Sequence, residues 1–196
     1  GFAFKLSAVP MHFWCPDVFE GAPIEITTFL SVASKGAAFA LLIRVVHQLT
    51  GLGDLAVPMA IGLGAIAVVS STFGNLAAYF QTNVKRMLAY SSVGQMGYVV
   101  LGLSLGNAAA LTGALLHITG HAVAKACLFG AVGSLPRETA QADVAGFAGA
   151  SRRAPLTMAA FTLAALSLVG IPPTAGFFSK WYLLQGALEA DAWPFA

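Results

Sequence analysis

The sequence has 196 residues and a formal net charge of +2; 58% of its residues are hydrophobic and only 9% are charged. Soluble domains carry about 25% charged residues, so this composition, with a mean hydropathy of +0.79, excludes an ordinary soluble domain. The small, scattered positive charge also gives no basis for nucleic-acid binding. The composition therefore predicts an all-α membrane protein.

Apolar runs separated by turn signals divide the chain into one partial and several nearly complete membrane spans, since about 20 apolar residues cross the ~30 Å hydrocarbon layer. The predicted elements are a partial helix at 1–10 and spans at about 25–48, 56–80, 84–105, 109–135 and 155–188. Together they predict a single polytopic transmembrane bundle over residues 1–196. Because the chain begins at Gly1 and ends just after an apolar run, we expect it to be a fragment of a longer protein.

Basic residues in the connecting loops predict how the bundle is oriented. Two loops separated by two spans carry most of these residues: Lys85, Arg86, Arg137, Arg152 and Arg153. The opposite face has only Arg44. The positive-inside rule therefore places loops 81–86 and 136–154 in the cytoplasm, and alternation places 11–24 there as well.

Prolines interrupt two of the predicted elements. The last span reads "LSLVGIPPTAGFFSKWYLL", with Pro172 and Pro173 in its middle, and the partial helix contains Pro10. Proline removes a backbone donor and clashes with the preceding turn. We therefore expect the last span to be two half-helices that meet inside the membrane, a pattern typical of transporters built from repeated halves.

Ionisable side chains inside the predicted spans are the main functional signal. They are Lys5, Lys35, His117, His121, Lys125 and Lys180. A lysine at the middle of a span costs about 2.5–3.5 kcal/mol on insertion, so such residues are rarely retained without a role. In "HITGHAVAK" the two histidines and the lysine are four residues apart, which aligns them along one side of a helix.

A stripe of this kind that faces the bundle interior could hold waters and pass protons, because histidine changes its charge near neutral pH. The alternatives are structural: lysines can extend to an interface or bind buried carbonyls, and His117 can serve packing as readily as proton relay. Metal binding by His117 and His121 lacks a nearby carboxylate or cysteine. Cys15 and Cys127 have no C-x-x-C spacing, so we expect no metal and no cofactor.

Four long segments carry a resemblance to a known family. They are "GFAFKLSAVPMHFWCPDVFEGAP", "FLSVASK", "NLAAYFQTNVKRMLAYSSVGQMGYVVLGL" and "GIPPTAGFFSKWYLL". They resemble the subunit N family, the antiporter-like membrane subunits of the proton-pumping NADH:quinone oxidoreductase, respiratory complex I. The segment "HITGHAVAKACLFGAVGSL" is similar to the related subunits L and M and to Mrp-type sodium/proton antiporter subunits.

The resemblance implies an antiporter-like fold with discontinuous helices, inverted repeats and a central axis of lysines in the membrane arm of complex I. In this family Lys5 matches the lysine of the broken seventh helix, Lys35 that of the eighth, and Lys180 that of the broken twelfth. It also implies other membrane-arm subunits and the lipid bilayer as partners, quinone only indirectly, and a bacterial inner membrane as the location.

Three hypotheses follow. The first is a subunit that translocates protons along the lysine and histidine axis and is driven by quinone reduction elsewhere in the complex. In it Lys35, His121 and Lys125 store and relay protons, and Lys180 gates the exit. The second is a subunit of a sodium/proton antiporter, although sodium prefers oxygen ligands to lysines. The third is a packing subunit whose polar axis is vestigial.

Overall fold

A computed structural model describes residues 1–51, 53, 55–135 and 143–191. The regular structure of these residues is helical, which confirms the predicted fold class. The helices are α1 (Phe2–Leu6), α2 (Trp14–Gly21), α3 (Ile24–Phe29), a π-helical turn (Leu30–Ser34), α4 (Lys35–Thr50), α5 (Ala56–Tyr79), α6 (Val84–Ser104), α7 (Ala108–Ser134), a 3₁₀ turn (Val144–Phe147), α8 (Ala150–Arg153), α9 (Pro155–Val169) and α10 (Ala175–Glu189). Arg137 and the first part of its loop lie outside the described residues.

Three of the described helical segments are long and apolar enough to cross a membrane: Ile24–Thr50, Ala56–Tyr79 and Ala108–Ser134. The first of them joins α3, the π-helical turn and α4 into one continuous rod. Helix α6 is more polar, yet 12 of its 21 residues are buried, because it packs against α2, α5 and α7. Its polar residues Ser92 and Gln95 are among the buried ones.

The last predicted span is broken, as its prolines indicated. Helix α9 ends at Val169 and is capped by Gly170, which adopts φ = 90°, a left-handed conformation that glycine reaches without steric cost. Helix α10 starts after Thr174. Its close packing on α7 depends on Gly113, where an added Cβ would lie 2.8 Å from the backbone nitrogen of Leu183.

The N-terminal segment around Pro10 differs from our expectation. Residues 11–24 are not simply a connecting loop, because α2 occupies most of them, and the partial helix ends at Leu6 rather than near Pro10. The reason is local amphipathicity: Cys15 and Phe19 lie on one side of α2 and are fully buried. Trp14 links the two pieces, since its indole nitrogen donates a hydrogen bond to the Phe4 carbonyl at 2.8 Å.

The loops that alternation assigned to one face do meet there. Arg86, at the start of α6, donates from Nη1 to Asp17 at 2.7 Å and to Glu20 at 2.8 Å. The backbone N–H of Val144 donates to the Thr82 carbonyl at 2.8 Å. The described parts of loops 11–24, 81–86 and 136–154 thus lie at the same end of the bundle.

The interior has two apolar clusters. The first comprises Leu6, Phe39, Leu42, Val46, Ala67, Met96, Val99, Val100, Ala114 and Ile118. The second comprises Cys15, Phe19, Val84, Leu88, Ala89, Ala124, Leu128, Phe129, Val132 and Ala164. Along α7, His121 falls between the two clusters, and along α6 Gln95 does so, whereas His117 adjoins Ile118 of the first cluster. The middle of the bundle is therefore a polar layer between two apolar ones.

Candidate functional site

We define the polar layer by its buried functional side chains: Lys35, Gln95, His117, His121, Lys125 and Ser179. The exposed fractions of Lys35 and Lys125 are both 0%, and those of His117 and His121 are 3% and 2%. The stripe predicted from the four-residue spacing on α7 therefore faces the interior. It does not face lipid, where charged side chains would be energetically costly.

Lys125 is held by two hydrogen bonds across the α6–α7 interface. Its Nζ donates to the Leu88 carbonyl at 2.7 Å and to the Ser91 hydroxyl at 2.6 Å. The same Nζ lies 5.9 Å from the centre of the Phe129 ring, within the range of a cation–π interaction. A buried ammonium with two acceptors and an aromatic face is a stable arrangement.

Lys35 directly follows the π-helical turn Leu30–Ser34. It starts the buried side of α4, which continues with Phe39, Leu42 and Val46. π-Helical turns frequently occur at functional sites. Here the turn leads directly into the residue that projects an ammonium group into the core.

The described residues provide no hydrogen-bond partner for Lys35 Nζ or His121 Nε2. The Phe19 ring, with its centre 5.9 Å from Lys35 Nζ, is the aromatic surface that this lysine faces. His121 lies within Coulombic range of both Lys35 and Lys125. His121 is therefore close enough to both lysines to be influenced by their charges, and no carboxylate is among the buried polar side chains of the described residues.

His117 connects α7 to two other helices. Its Nδ1 lies 2.9 Å from the Ser179 hydroxyl on α10, and its Nε2 lies 2.8 Å from Gln95 Oε1 on α6. The Tyr98 ring packs edge-on against the imidazole, with a centroid separation of 5.5 Å. Both ring nitrogens are therefore engaged, one on each side.

Lys180 lies at the break between α9 and α10 and is half-buried. Its Nζ donates to the carbonyls of Leu168, at 3.3 Å, and Val169, at 2.9 Å, which end α9. It also lies 4.8 Å from the centre of the Tyr98 ring. The negative end of the α9 helix dipole stabilises a cation at this position.

A cavity of about 380 Å³ lies beside the polar layer. Its wall includes Ser91, which binds Lys125, and it also includes Gln95, Tyr98 and Lys180. The cavity is open on one side and most of its lining is apolar, so it has room for waters beside its few polar side chains but is not an enclosed water channel. The surroundings of Lys125 and Lys180 thus share one cavity.

Among the predicted residues the structure brings together Lys35, His117, His121, Lys125 and Lys180, and it leaves Lys5 apart. Lys5 lies at the end of α1 and is exposed. Sequence reasoning missed Gln95 and Ser179. Neither carries a charge, and their only sequence signal is position: Ser179 precedes Lys180, and Gln95 is one turn beyond Ser91.

Discontinuous helices around a buried layer of lysine and histidine define a polytopic membrane protein of the antiporter-like class. The chain belongs to the family described as "NADH:quinone oxidoreductase/Mrp antiporter, TM", whose family model matches residues 1–196. The apolar helices and bacterial relatives place it in a bacterial inner membrane.

Two relatives confirm the resemblance to subunit N. The chain is 45% identical to NADH-quinone oxidoreductase subunit N of Desulforudis audaxviator over 196 residues, which are 100% of this chain and 39% of that protein. It is 41% identical to subunit N of Geotalea uraniireducens over 196 residues, which are 100% of this chain and 41% of that protein. The chain therefore spans about two fifths of the length of these relatives.

Solved structures show the same fold. A chain of respiratory complex I from Thermus thermophilus with bound aureothin is similar with a TM-score of 0.80 and 35% identity, over 100% of this chain and 42% of that one. A chain of the Mrp complex from Dietzia sp. is similar with a TM-score of 0.86 and 25% identity, over 99% of this chain and 36% of that one.

Proposed function

We propose that this chain forms the lysine- and histidine-bearing part of a proton-translocating subunit of a bacterial NADH:quinone oxidoreductase. The subunit carries no redox centre, and quinone reduction in another part of the complex drives it. Its partners are the other membrane-arm subunits and the surrounding lipid. The observation that carries the proposal is that residues from α4, α6, α7 and α10 converge on one buried cationic layer.

Charge coupling supplies the mechanism. Two unit charges about 7 Å apart interact by ~2–3 kcal/mol at an effective dielectric constant near 20. A proton gained or lost at one buried group therefore changes the proton affinity of the next by one to two pKa units. Repulsion between like charges favours moving the proton along the layer rather than accumulating it.

The residues have distinct roles in this proposal. Lys35, His121 and Lys125 store and exchange protons in the centre of the layer, since His121 is within the field of both lysines. His117 passes the proton on from His121. Lys180, at the helix break, is the gate toward the exit, and Lys5 responds to an acidic partner elsewhere in the full-length protein.

The fold alone also fits a second candidate, a subunit of an Mrp-type sodium/proton antiporter, because the chain is structurally similar to the Mrp complex. The side chains favour the first candidate. None of the buried polar side chains in the described part of the chain is acidic. Sodium prefers several oxygen ligands. A layer dominated by ammonium and imidazole groups repels sodium ions, whereas its nitrogen atoms can bind and release protons.

Substitution of Lys35 by alanine in the full-length subunit, within its assembled complex, tests the proposal. In proteoliposomes we expect quinone reduction to continue while proton translocation per electron falls several-fold. Arg44→Ala is the matched control, because Arg44 is a cationic residue on the same helix that is exposed. Unchanged pumping by Lys35→Ala at unchanged quinone reduction would favour the vestigial-axis hypothesis instead.

A further inference from the structure

The two hydrogen-bond contacts of His117 determine which of its ring nitrogens carries the proton. The roles proposed above do not depend on this choice. The amide oxygen of Gln95 faces Nε2 at 2.8 Å. The Gln95 amide nitrogen lies 3.5 Å from the Leu168 carbonyl oxygen. Reversing the amide would place Oε1 against this carbonyl, so the oxygen faces His117. An amide oxygen only accepts hydrogen bonds, and His117 therefore carries its proton on Nε2 when neutral.

The other ring nitrogen then depends on Ser179. A neutral imidazole has one N–H, so Nδ1 accepts, and the Ser179 hydroxyl donates to it across 2.9 Å. The same hydroxyl lies 2.9 Å from the Gly176 carbonyl in the first turn of α10. Since a hydroxyl has one proton, it donates to only one of these two acceptors at a time.

We propose that Gln95 and Ser179 are positioning residues that turn His117 into a two-state element, an inference that rests on the proposed proton translocation. With His117 neutral, Ser179 donates to Nδ1. When a proton arrives at Nδ1, both ring nitrogens become donors, and Ser179 accepts from Nδ1–H and turns its own proton to Gly176. The N–H bond of the donor, protonated His121 in the proposed roles, breaks as the Nδ1–H bond of His117 forms. When the proton leaves, the Nδ1–H bond breaks and Ser179 again donates to Nδ1.

This exchange links the charge of His117 to the broken helix. Gly176 and Ser179 both belong to the beginning of α10, directly after the break, and Lys180 is the next residue. The charged or titratable groups that face His117 are Lys180 on α10, His121 on α7 and Tyr98 on α6. A charged His117 therefore changes both the hydrogen bonding of the α10 first turn and the field at Lys180.

Ser179→Ala in the full-length subunit of the assembled complex tests the inference directly. Loss of the hydroxyl removes a hydrogen bond from both states of His117, and since the bond from the charged imidazole is the stronger one, the charged state becomes roughly fivefold less favoured. We expect proton translocation per electron to fall about fivefold and its pH profile to change shape, while quinone reduction continues. Ser179→Thr keeps the hydroxyl and should restore both. Ser104→Ala, whose hydroxyl donates only to the Leu101 carbonyl of its own helix, is the matched control.

Gln95→Glu is the second variant, and it preserves shape. A carboxylate beside Nε2 stabilises the charged imidazole, which holds the element in one state, so pumping should fall as far as in Ser179→Ala. Wild-type pumping and pH profile in both variants, with Lys35→Ala still defective, would overturn the switch and leave the proposed function intact. Normal pumping by Lys35→Ala would instead refute the proposed function, and with it the premise of this inference.

Discussion

Lys35 and Lys125 occupy two regions of the polar layer. They are equally buried but differ in the hydrogen-bond partners of their amino groups. Each has an exposed fraction of 0% and lies 5.9 Å from the centre of one phenylalanine ring. Lys125 has two oxygen acceptors supplied by α6, whereas Lys35 has no hydrogen-bond partner among the described residues. Burial alone therefore does not determine how a lysine is stabilised here.

The difference shows which groups in the fold stabilise a buried amino group by hydrogen bonding. Lys125 lies in regular α7, and the neighbouring helix offers Ser91 and a backbone carbonyl that the side chain reaches without distortion. Lys35 follows a π-helical turn in a continuous rod. An uncompensated buried cation is costly, so the Lys35 region holds the more reactive of the two groups and the Lys125 region the more stable one.

The largest effect that separates the two regions concerns stability. Replacing Lys35 with methionine removes a fully buried amine that has no hydrogen-bond partner among the described residues. An unsatisfied buried polar group costs about 1–3 kcal/mol, so we expect the free energy of unfolding to rise by up to that amount while pumping is lost. Lys125→Met also removes two charge-assisted hydrogen bonds, each worth about 1.5–3 kcal/mol. Its unfolding free energy should therefore stay unchanged or fall.

Thermal unfolding of the purified complex in detergent, with Arg44→Met as the control, measures the contrast. A rise in the unfolding midpoint for Lys125→Met as large as that for Lys35→Met would show that the two lysines are stabilised equally. In that case the hydrogen bonds to Leu88 and Ser91 would not contribute to the free energy of unfolding, and the distinction between the two regions would be wrong.

The sequence predicted the features of this layer that arise locally. The break between α9 and α10 follows from Pro172, Pro173 and a glycine at the end of a helix, which act within a few residues. The inward-facing stripe follows from helical periodicity and the cost of charge in lipid. Both kinds of signal are contained within one segment of chain. The roles of the stripe residues stay a prediction.

The remaining features depend on residues that meet only in three dimensions. Gln95 and Ser179 are 84 positions apart in the sequence, and each is an ordinary neutral polar residue until His117 lies between them. Helix α2 was missed because its eight residues are too few for a spanning signal and lie next to turn-forming Pro10. The π-helical turn before Lys35 leaves no compositional mark, since π-helical turns are rare and no residue type defines them.

A smaller change makes the Lys125 region resemble the Lys35 region. Ser91→Ala removes one of the two acceptors of Lys125 Nζ, at 2.6 Å, and leaves the Leu88 carbonyl. We expect the free energy of unfolding to fall by about 1–2 kcal/mol, with Lys125→Met and Ser91→Ala no longer additive when combined. Ser104→Ala on the same helix is the control. Fully additive losses in the double variant would show that Ser91 acts independently of Lys125.

The smallest effect concerns the surface contacts that hold the two regions in register. Arg86 on α6, the helix that binds Lys125, pairs with Asp17 and Glu20 on α2, the helix whose Phe19 faces Lys35. The two acidic side chains are 73% and 41% exposed, so solvent screens the pairs and each is worth at most ~1 kcal/mol.

Arg86→Gln should therefore lower the free energy of unfolding by no more than about 1 kcal/mol, and the difference from the unsubstituted protein should vanish near 1 M salt, where the screening length is about 3 Å. Arg152→Gln is the matched control, because Arg152 is exposed and makes no ion pair with the described residues. A loss that persists at high salt would mean that Arg86 acts through packing of its stem rather than through charge. The surface ion pairs would then not contribute to the register between Lys35 and Lys125. Helix α2 would be attached to α6 by apolar packing and by the hydrogen bonds from Lys85 Nζ to the Glu20 and Ala22 carbonyls.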